Sequence, residues 1–229
     1  MEYVDLRKRL SFLKRTPFHP QWLIHGREKK LLAGIGDALE GRVLDIGCSD
    51  QRLRPYLKKG TRYIGLDYYD TAENWYQTKP QVYGDAAALP FHDSAMDSIV
   101  LLDVLEHLPG PETCLKEISR VLTPGGLLIL QVPFLYPLHD EPLDYHRWTI
   151  HGLRSITRRF GFIALSKTAL NWIRKKSVLS VLVLLLPFLV TAINILSWAA
   201  AGLSQPDDMM PHGYRLTLKT GDAENESAP

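Results

Sequence analysis

The sequence predicts an α/β protein built on a doubly wound, mostly parallel sheet of seven strands. Three observations carry that reading. Short apolar runs alternate with helical segments from Arg42 to Phe162, the rhythm that sets parallel strands side by side under covering helices. Arg42 to Ile46, RVLDI, runs straight into Gly47, whose backbone accepts turns that other residues resist. From Asp97 to Leu102 the chain is nearly continuously apolar apart from Ser98, as a strand covered on both faces requires.

The elements follow in order. Residues 1–24 form a basic, aromatic arm punctuated by Pro17 and Pro20. Leu31, Leu32, Ile35 and Leu39 recur at helical spacing, so a helix is expected from His25 to Leu39, ended by Gly41. Arg42 to Ile46 is the first strand, Arg52 to Leu57 a short helix, and Arg62 to Leu66 the second strand with Asp67 at its end. Val82 to Gly84 is a third, short strand, and Asp97 to Leu102 the fourth. Glu112 to Leu122 reads as a helix with Leu115, Ile118 and Leu122 on its apolar stripe. Pro124, Gly125 and Gly126 then turn the chain into a fifth strand, Leu127 to Val132. A helix from Ile150 to Phe160, preceded by Trp148 or Thr149, leads to strand six, Phe162 to Leu165; strand seven is Tyr214 to Leu218.

The 229 residues suffice for one domain with a sizeable core, and residues 25–220 are assigned to it. A net charge of +2 does not suit a nucleic-acid binder. Two cysteines, Cys48 and Cys114, make no disulfide framework and point to a reducing, cytoplasmic setting. The charged first residues are not expected to form a signal peptide, and the polar residues 221–229 are expected to be disordered.

Five stretches recur at regular intervals: RVLDIGCSD at 42–50, GLD at 65–67, GDAAALPF at 84–91, DSIVLLDVLEHL at 97–108 and RVLTPGG at 120–126. Together they resemble the class I S-adenosylmethionine-dependent methyltransferases, especially the small type 11 group, over roughly Leu39 to Phe162. The resemblance implies a Rossmann-like methyltransferase fold and S-adenosyl-L-methionine as cofactor. It implies that Asp45, Gly47, Cys48 and Ser49 form the cofactor loop and that Asp67 accepts hydrogen bonds from the ribose hydroxyls. Asp85 would accept from the adenine amino group, the Ala86 amide would meet a ring nitrogen, and Asp103 would stand at the methionine end with Glu106 and His107. Tyr68, Tyr69, Trp75 and Tyr76 are candidates for the adenine side. The loop departs from the family's GxGxG pattern, because Ser49 and Gln51 stand where glycines are common and Gln51 brings bulk toward the cofactor's tail.

The densest polar cluster is PFLYPLHDEPLDYHRWT, 133–149, directly after strand five, and ligands of open parallel sheets bind at strand ends. Methyl transfer needs an aligned acceptor and, for a hydroxyl, removal of its proton. His139 is the first choice for that base because histidine titrates near neutrality, with Asp140 or Asp144 to orient it. Tyr145 lies in the same cluster, and Arg147 either binds an anionic group or joins the carboxylates in a network that fixes the loop. His139, Asp140 and His146 are metal-binding types, but types alone are a weak argument, and no metal is assigned. A similar HDEPxDYxRxT stretch occurs in methyltransferases found among cell-envelope and polysaccharide genes.

No charge occurs between Lys176 and Asp207. The apolar insert 177–206 is long enough to span a bilayer, and Pro187 permits a bend. A single crossing would strand the seventh strand on the wrong side of its sheet. The insert therefore enters a membrane and returns, lies along its surface, or forms a dimerisation hairpin or lid. Arg174, Lys175 and Lys176 suit the cytosolic face of a membrane. Three functions remain open: a methyltransferase acting on a small-molecule or lipid-linked acceptor at that face, a membrane-tethered binding protein of the same fold, or a soluble small-metabolite methyltransferase.

Overall fold

The computed structural model describes residues 22–136, 138–170 and 213–220. The chain divides into two compact units, Met1–Leu32 with Asn171–Asp208, and Ala33–Leu170 with Met209–Pro229. The second unit holds the whole sheet. The apolar insert 177–206, the arm 1–21 and the tail lie outside the described residues. Among the described residues, no helix is long and apolar enough to cross a membrane.

Helix α1 (Trp22–Ala38) leads into β1 (Arg42–Ile46), β2 (Arg62–Asp67), β3 (Val82–Tyr83) and β4 (Met96–Leu102). Helix α2 (Pro111–Val121), β5 (Leu122–Pro133), α3 (Ile150–Arg158), β6 (Phe162–Leu170) and β7 (Gly213–Thr220) follow. The strand order is β3-β2-β1-β4-β5-β7-β6. All described pairings are parallel except the two made by β7. Order reverses between β1 and β4, so the crevice at their carboxyl ends is the expected ligand position.

Core packing follows the sequence pattern. Ile99, Val100 and Leu101 are fully covered in the central strand, as are Leu115, Ile118 and Val121 on the inner face of α2. Arg42 ties the start of β1 to β4, its backbone and side-chain nitrogens donating to Asp97 at 2.8–3.1 Å. Thr149 caps α3, its hydroxyl accepting from the Gly152 amide at 3.0 Å.

Several boundaries differ from expectation for local reasons. The short helix expected over 52–57 shrinks to one tight turn, Arg54–Tyr56, because Pro55 lacks an amide donor. β5 begins at Leu122, five residues early: Leu122 pairs with Met96, residues 123–126 bulge out, and pairing resumes at Leu127 with Ser98. β6 and β7 are longer than expected because each carries the other's hydrogen bonds, from Phe162 with Thr220 to Leu170 with Gly213. Gly213 also pairs with Pro133, so the end of β6, the start of β7 and the end of β5 meet at one edge of the sheet.

Candidate active site

The loop after β1 keeps the glycine-rich path without all the glycines. Gly47, Ser49 and Gln51 hold φ of +69°, +42° and +56°, the left-handed region at alternate positions. The amides of Gly47 and Cys48 both donate to the Leu66 carbonyl, at 2.8 and 3.2 Å, which pulls the loop over the end of β2. The Gln51 side chain turns away from the loop: its amide donates to the Lys79 carbonyl at 3.0 Å and its oxygen accepts from Arg54 at 3.2 Å. The bulk expected near the cofactor's tail is thus tied toward residue 79.

Gly47 must be glycine for two reasons. Its φ is left-handed, and a Cβ there would lie 2.3 Å from Val104 Cγ2. Gly47→Ala is expected to destabilise by about 2–4 kcal/mol in urea denaturation, and adding Val104→Ala should restore only the steric part.

Asp67 closes the loop from beneath. It is 3% exposed; one carboxylate oxygen accepts from the Ser49 amide at 2.7 Å and the other from the Tyr68 amide at 2.8 Å. Burial raises its pKa, and the two amides oppose that rise. Each oxygen retains a lone pair, and together they are the acceptor pair that two vicinal hydroxyls need. Tyr68, Tyr69, Trp75 and Tyr76 are exposed beyond it. Asp85 stays at the surface and accepts from the Ala87 amide at 2.8 Å, with Ala86 buried beside it.

Asp45 sits under the loop, where Tyr63 donates to it at 2.8 Å. Burial, reinforced by the charge of Asp67, pushes its pKa up to about 7 against the Tyr63 bond. Cys48 is covered, and burial with the same carboxylates pushes its thiol up to about 12, so it is an unreactive packing group. The sign for Asp45 follows from linkage: the folded protein holds this proton while the unfolded chain has lost it. Stability therefore falls as pH rises from about 4 to about 7, by roughly 4 kcal/mol. Asp45→Asn should flatten that slope in urea denaturation of the cofactor-free protein and should be the more stable form above pH 7.

Asp103 ends β4 in a left-handed conformation, φ +54°. Its carboxylate accepts from Gln131 at 2.7 Å, and Gln131 in turn accepts from Arg215 of β7. Burial pulls Arg215 down to about 10. Sequence reasoning missed this relay because Arg215 alternates within an ordinary strand pattern.

The tight turn Leu105–His107 follows, and the 134–149 loop is fastened onto it. The Glu106 carbonyl accepts from the amides of Tyr145 and His146, at 2.9 and 3.2 Å, and His107 Nδ1 bonds the Leu143 carbonyl at 3.0 Å. A carbonyl only accepts, so His107 Nδ1 carries the proton and its Nε2 lone pair faces inward. His139 is fixed twice by Asp144 Oδ2, through its amide at 3.0 Å and Nδ1 at 3.2 Å. Asp144 is held by a two-pronged bond from Arg147, which also reaches the carbonyls of Tyr136 and His146. That guanidinium holds the Asp144 carboxyl well below the usual carboxylate range.

The expected residues thus separate. His139, Asp144 and Arg147 form one ordered chain, and Arg147 has the network role rather than that of an open anion site. Asp140 lies across the cluster, Oδ2 3.9 Å from His107 Nε2. Tyr145 contributes its backbone while its ring is exposed, and the His146 ring packs between those of Tyr145 and Trp148. Glu106, expected with Asp103 and His107 at the cofactor's methionine end, is fully buried, with Oε1 3.8 Å from His107 Nε2 and 3.9 Å from His139 Nε2. Burial, then the nearby charge of Asp103, raises Glu106 to about 9. Its sequence signal was a Glu-His pair inside an otherwise apolar stretch.

Comparison with known proteins agrees with this layout. A family model described as a methyltransferase domain matches residues 44–130. The demethylmenaquinone methyltransferase of Renibacterium salmoninarum is 30% identical over 140 residues, 58% of this chain and 59% of that protein. The fatty-acid O-methyltransferase of Mycolicibacterium smegmatis is 32% identical over 123 residues, 48% of this chain and 43% of that protein. The chain spans about half the length of these curated relatives. In fold it is similar to an S-adenosylmethionine-dependent methyltransferase from Thermotoga maritima, with a TM-score of 0.59 at 16% identity, over 96% of this chain and 97% of that one. The paired lone pairs of Asp67 and the left-handed loop above it fit the ribose and tail of the cofactor. Residues 44–130 thus carry a methyltransferase domain similar to those of the type 11-like class I S-adenosylmethionine-dependent methyltransferases, whose cofactor, S-adenosyl-L-methionine, the residues of this site fit.

Proposed function

We propose that the chain methylates a hydroxyl of a lipid-linked or other small-molecule acceptor bound against Glu106, His107 and His139. The observation that carries this reading is the convergence of two imidazoles, His107 and His139, on the buried Glu106 carboxyl at the carboxyl ends of β4 and β5. A neutral amine acceptor, whose lone pair is already free, has no need of it.

When bound, the cofactor supplies a methyl group on a sulfonium, and the breaking carbon–sulfur bond returns its electron pair to sulfur. Asp67 and the 47–51 loop hold the cofactor's ribose and tail. His139, its ring held by Asp144, accepts the proton of the acceptor hydroxyl as the new bond to carbon forms. Asp144 and Arg147 are positioning residues: they set the tautomer of His139 and anchor its loop.

Two observations favour a lipid-linked acceptor at the cytosolic face of a membrane. In sequence the uncharged stretch 177–206 lies between Leu170, the last residue of β6, and Gly213, the first of β7, and Gly213 pairs with Pro133, after which the acceptor loop starts. Two of the matched proteins are named for a menaquinone and a fatty-acid substrate. Incubation with methyl-labelled cofactor and separated lipid and aqueous extracts tests the reading. Label in the lipid phase, lost on deleting 178–203, is the expected result. Label confined to the aqueous phase would transfer the function to a soluble metabolite. No label in either, from protein that binds the cofactor, would leave a binding protein of the same fold.

A further inference from the structure

Glu106 poses a problem that its surroundings do not solve. Its side chain is fully buried, yet neither carboxylate oxygen has a hydrogen-bond partner. A buried polar group without partners costs several kcal/mol, so such groups are normally bonded, paired or metal-bound. What faces Glu106 is two imidazoles. Its carboxylate, His107 and His139 each offer a ligand atom, and the three atoms lie within 4.8 Å of one another.

Both imidazoles are set to ligate. His107 Nδ1 donates to the Leu143 carbonyl, and His139 Nδ1 lies 3.2 Å from the Asp144 carboxylate, so each lone pair is on Nε2. A second partner on the far nitrogen is how ligating histidines are usually oriented. The rings lie edge to face, 5.0 Å between centroids and 77° apart, and the two Nε2 atoms lie 3.8 and 3.9 Å from Glu106 Oε1.

We infer that Glu106, His107 and His139 bind one divalent cation of the Mn²⁺-to-Zn²⁺ class, with open positions toward the acceptor. An ion with bonds of about 2.1 Å holds its ligands about 3.0–3.4 Å apart. The Glu106 separations of 3.8 and 3.9 Å need each group to close by only a few tenths of an ångström, and the two imidazole nitrogens, within 4.8 Å of each other, need at most about 0.7 Å each. Two imidazoles with one carboxylate disfavour Ca²⁺ and Mg²⁺, which prefer all-oxygen sites. Asp140, beside His107, stands at the open side. As a binding site the cluster is independent of the proposed reaction. As an activator it rests on the acceptor assignment of that reading and changes only the proton's route: a hydroxyl on the ion would have a lowered pKa and would lose its proton to water rather than to His139.

The test is calorimetric titration of the chelator-treated full chain with Co²⁺, with Zn²⁺ as competitor. One equivalent should bind saturably and be displaced by Zn²⁺, while equimolar Mg²⁺ has no effect. Glu106→Gln, which preserves shape, and His139→Ala should each weaken binding at least tenfold. Asp67→Ala should keep the ion while losing the cofactor. Saturable binding absent from protein folded by circular dichroism, or unchanged in both cluster variants, overturns the site and leaves Glu106 a neutral buried acid. Cofactor titration of the same samples keeps that failure distinct from failure of the proposed function.

Discussion

Asp67→Ala should weaken S-adenosylmethionine binding by about 10²- to 10⁴-fold while the protein remains folded. Two hydroxyls bonded to one carboxylate make two charge-assisted bonds, each contributing about 1.5–3 kcal/mol. The substitution also leaves the Ser49 and Tyr68 amides without their acceptor, at 2.7 and 2.8 Å in the intact protein, so the loop over the ribose position loosens. Asp67→Asn should fall between, because its amide retains one acceptor oxygen but turns a donor toward a backbone N–H. Calorimetric titration with the cofactor and with S-adenosylhomocysteine measures both. Binding within threefold of the unmodified protein would remove Asp67 from the ribose contact.

The second large effect lies in the acceptor loop. Asp144→Ala should destabilise the protein by about 2–4 kcal/mol, because a mostly covered Arg147 loses its carboxylate. Arg147→Ala should cost a similar amount, since the Asp144 side chain is only 1% exposed and its charge would keep only weaker partners. The double variant should cost about 1–3 kcal/mol less than the two singles together, which urea denaturation resolves. Strict additivity would mean that the pair does not hold the loop. The pair orients His139 without touching Asp67, so all three variants should bind the cofactor normally.

Much of this was legible in the chain. Val43, Leu44 and Ile46, and Ile99 to Leu101, are apolar at every position that two covered faces require, and all are buried. Asp67 stood at a strand end, and the structure buries it there under the loop. Other features were not legible, since they depend on partners distant in sequence. Nothing around Gln51 announces that Lys79 and Arg54 will draw its side chain away. Arg215 looks like one polar position in an alternating strand until Gln131 joins it to Asp103.

The same division holds at the acceptor site. Composition and spacing placed His139, Asp144 and Arg147 in one loop beyond the fifth strand, because polar residues after a buried strand end have solvent or a ligand to face. Local pattern could not decide which of them act and which only hold. Arg147 is committed to Asp144 because three residues of extended loop bring their charges together. Glu106 and His139 are 33 positions apart and meet only because β4 and β5 are parallel neighbours whose ends open on one side. Sequence alone determined the sheet, its winding and the cofactor edge, since burial periodicity and turn residues are local properties. The convergence of a buried carboxylate with two oriented imidazoles was decided by tertiary structure alone, because that geometry is set by strand pairing.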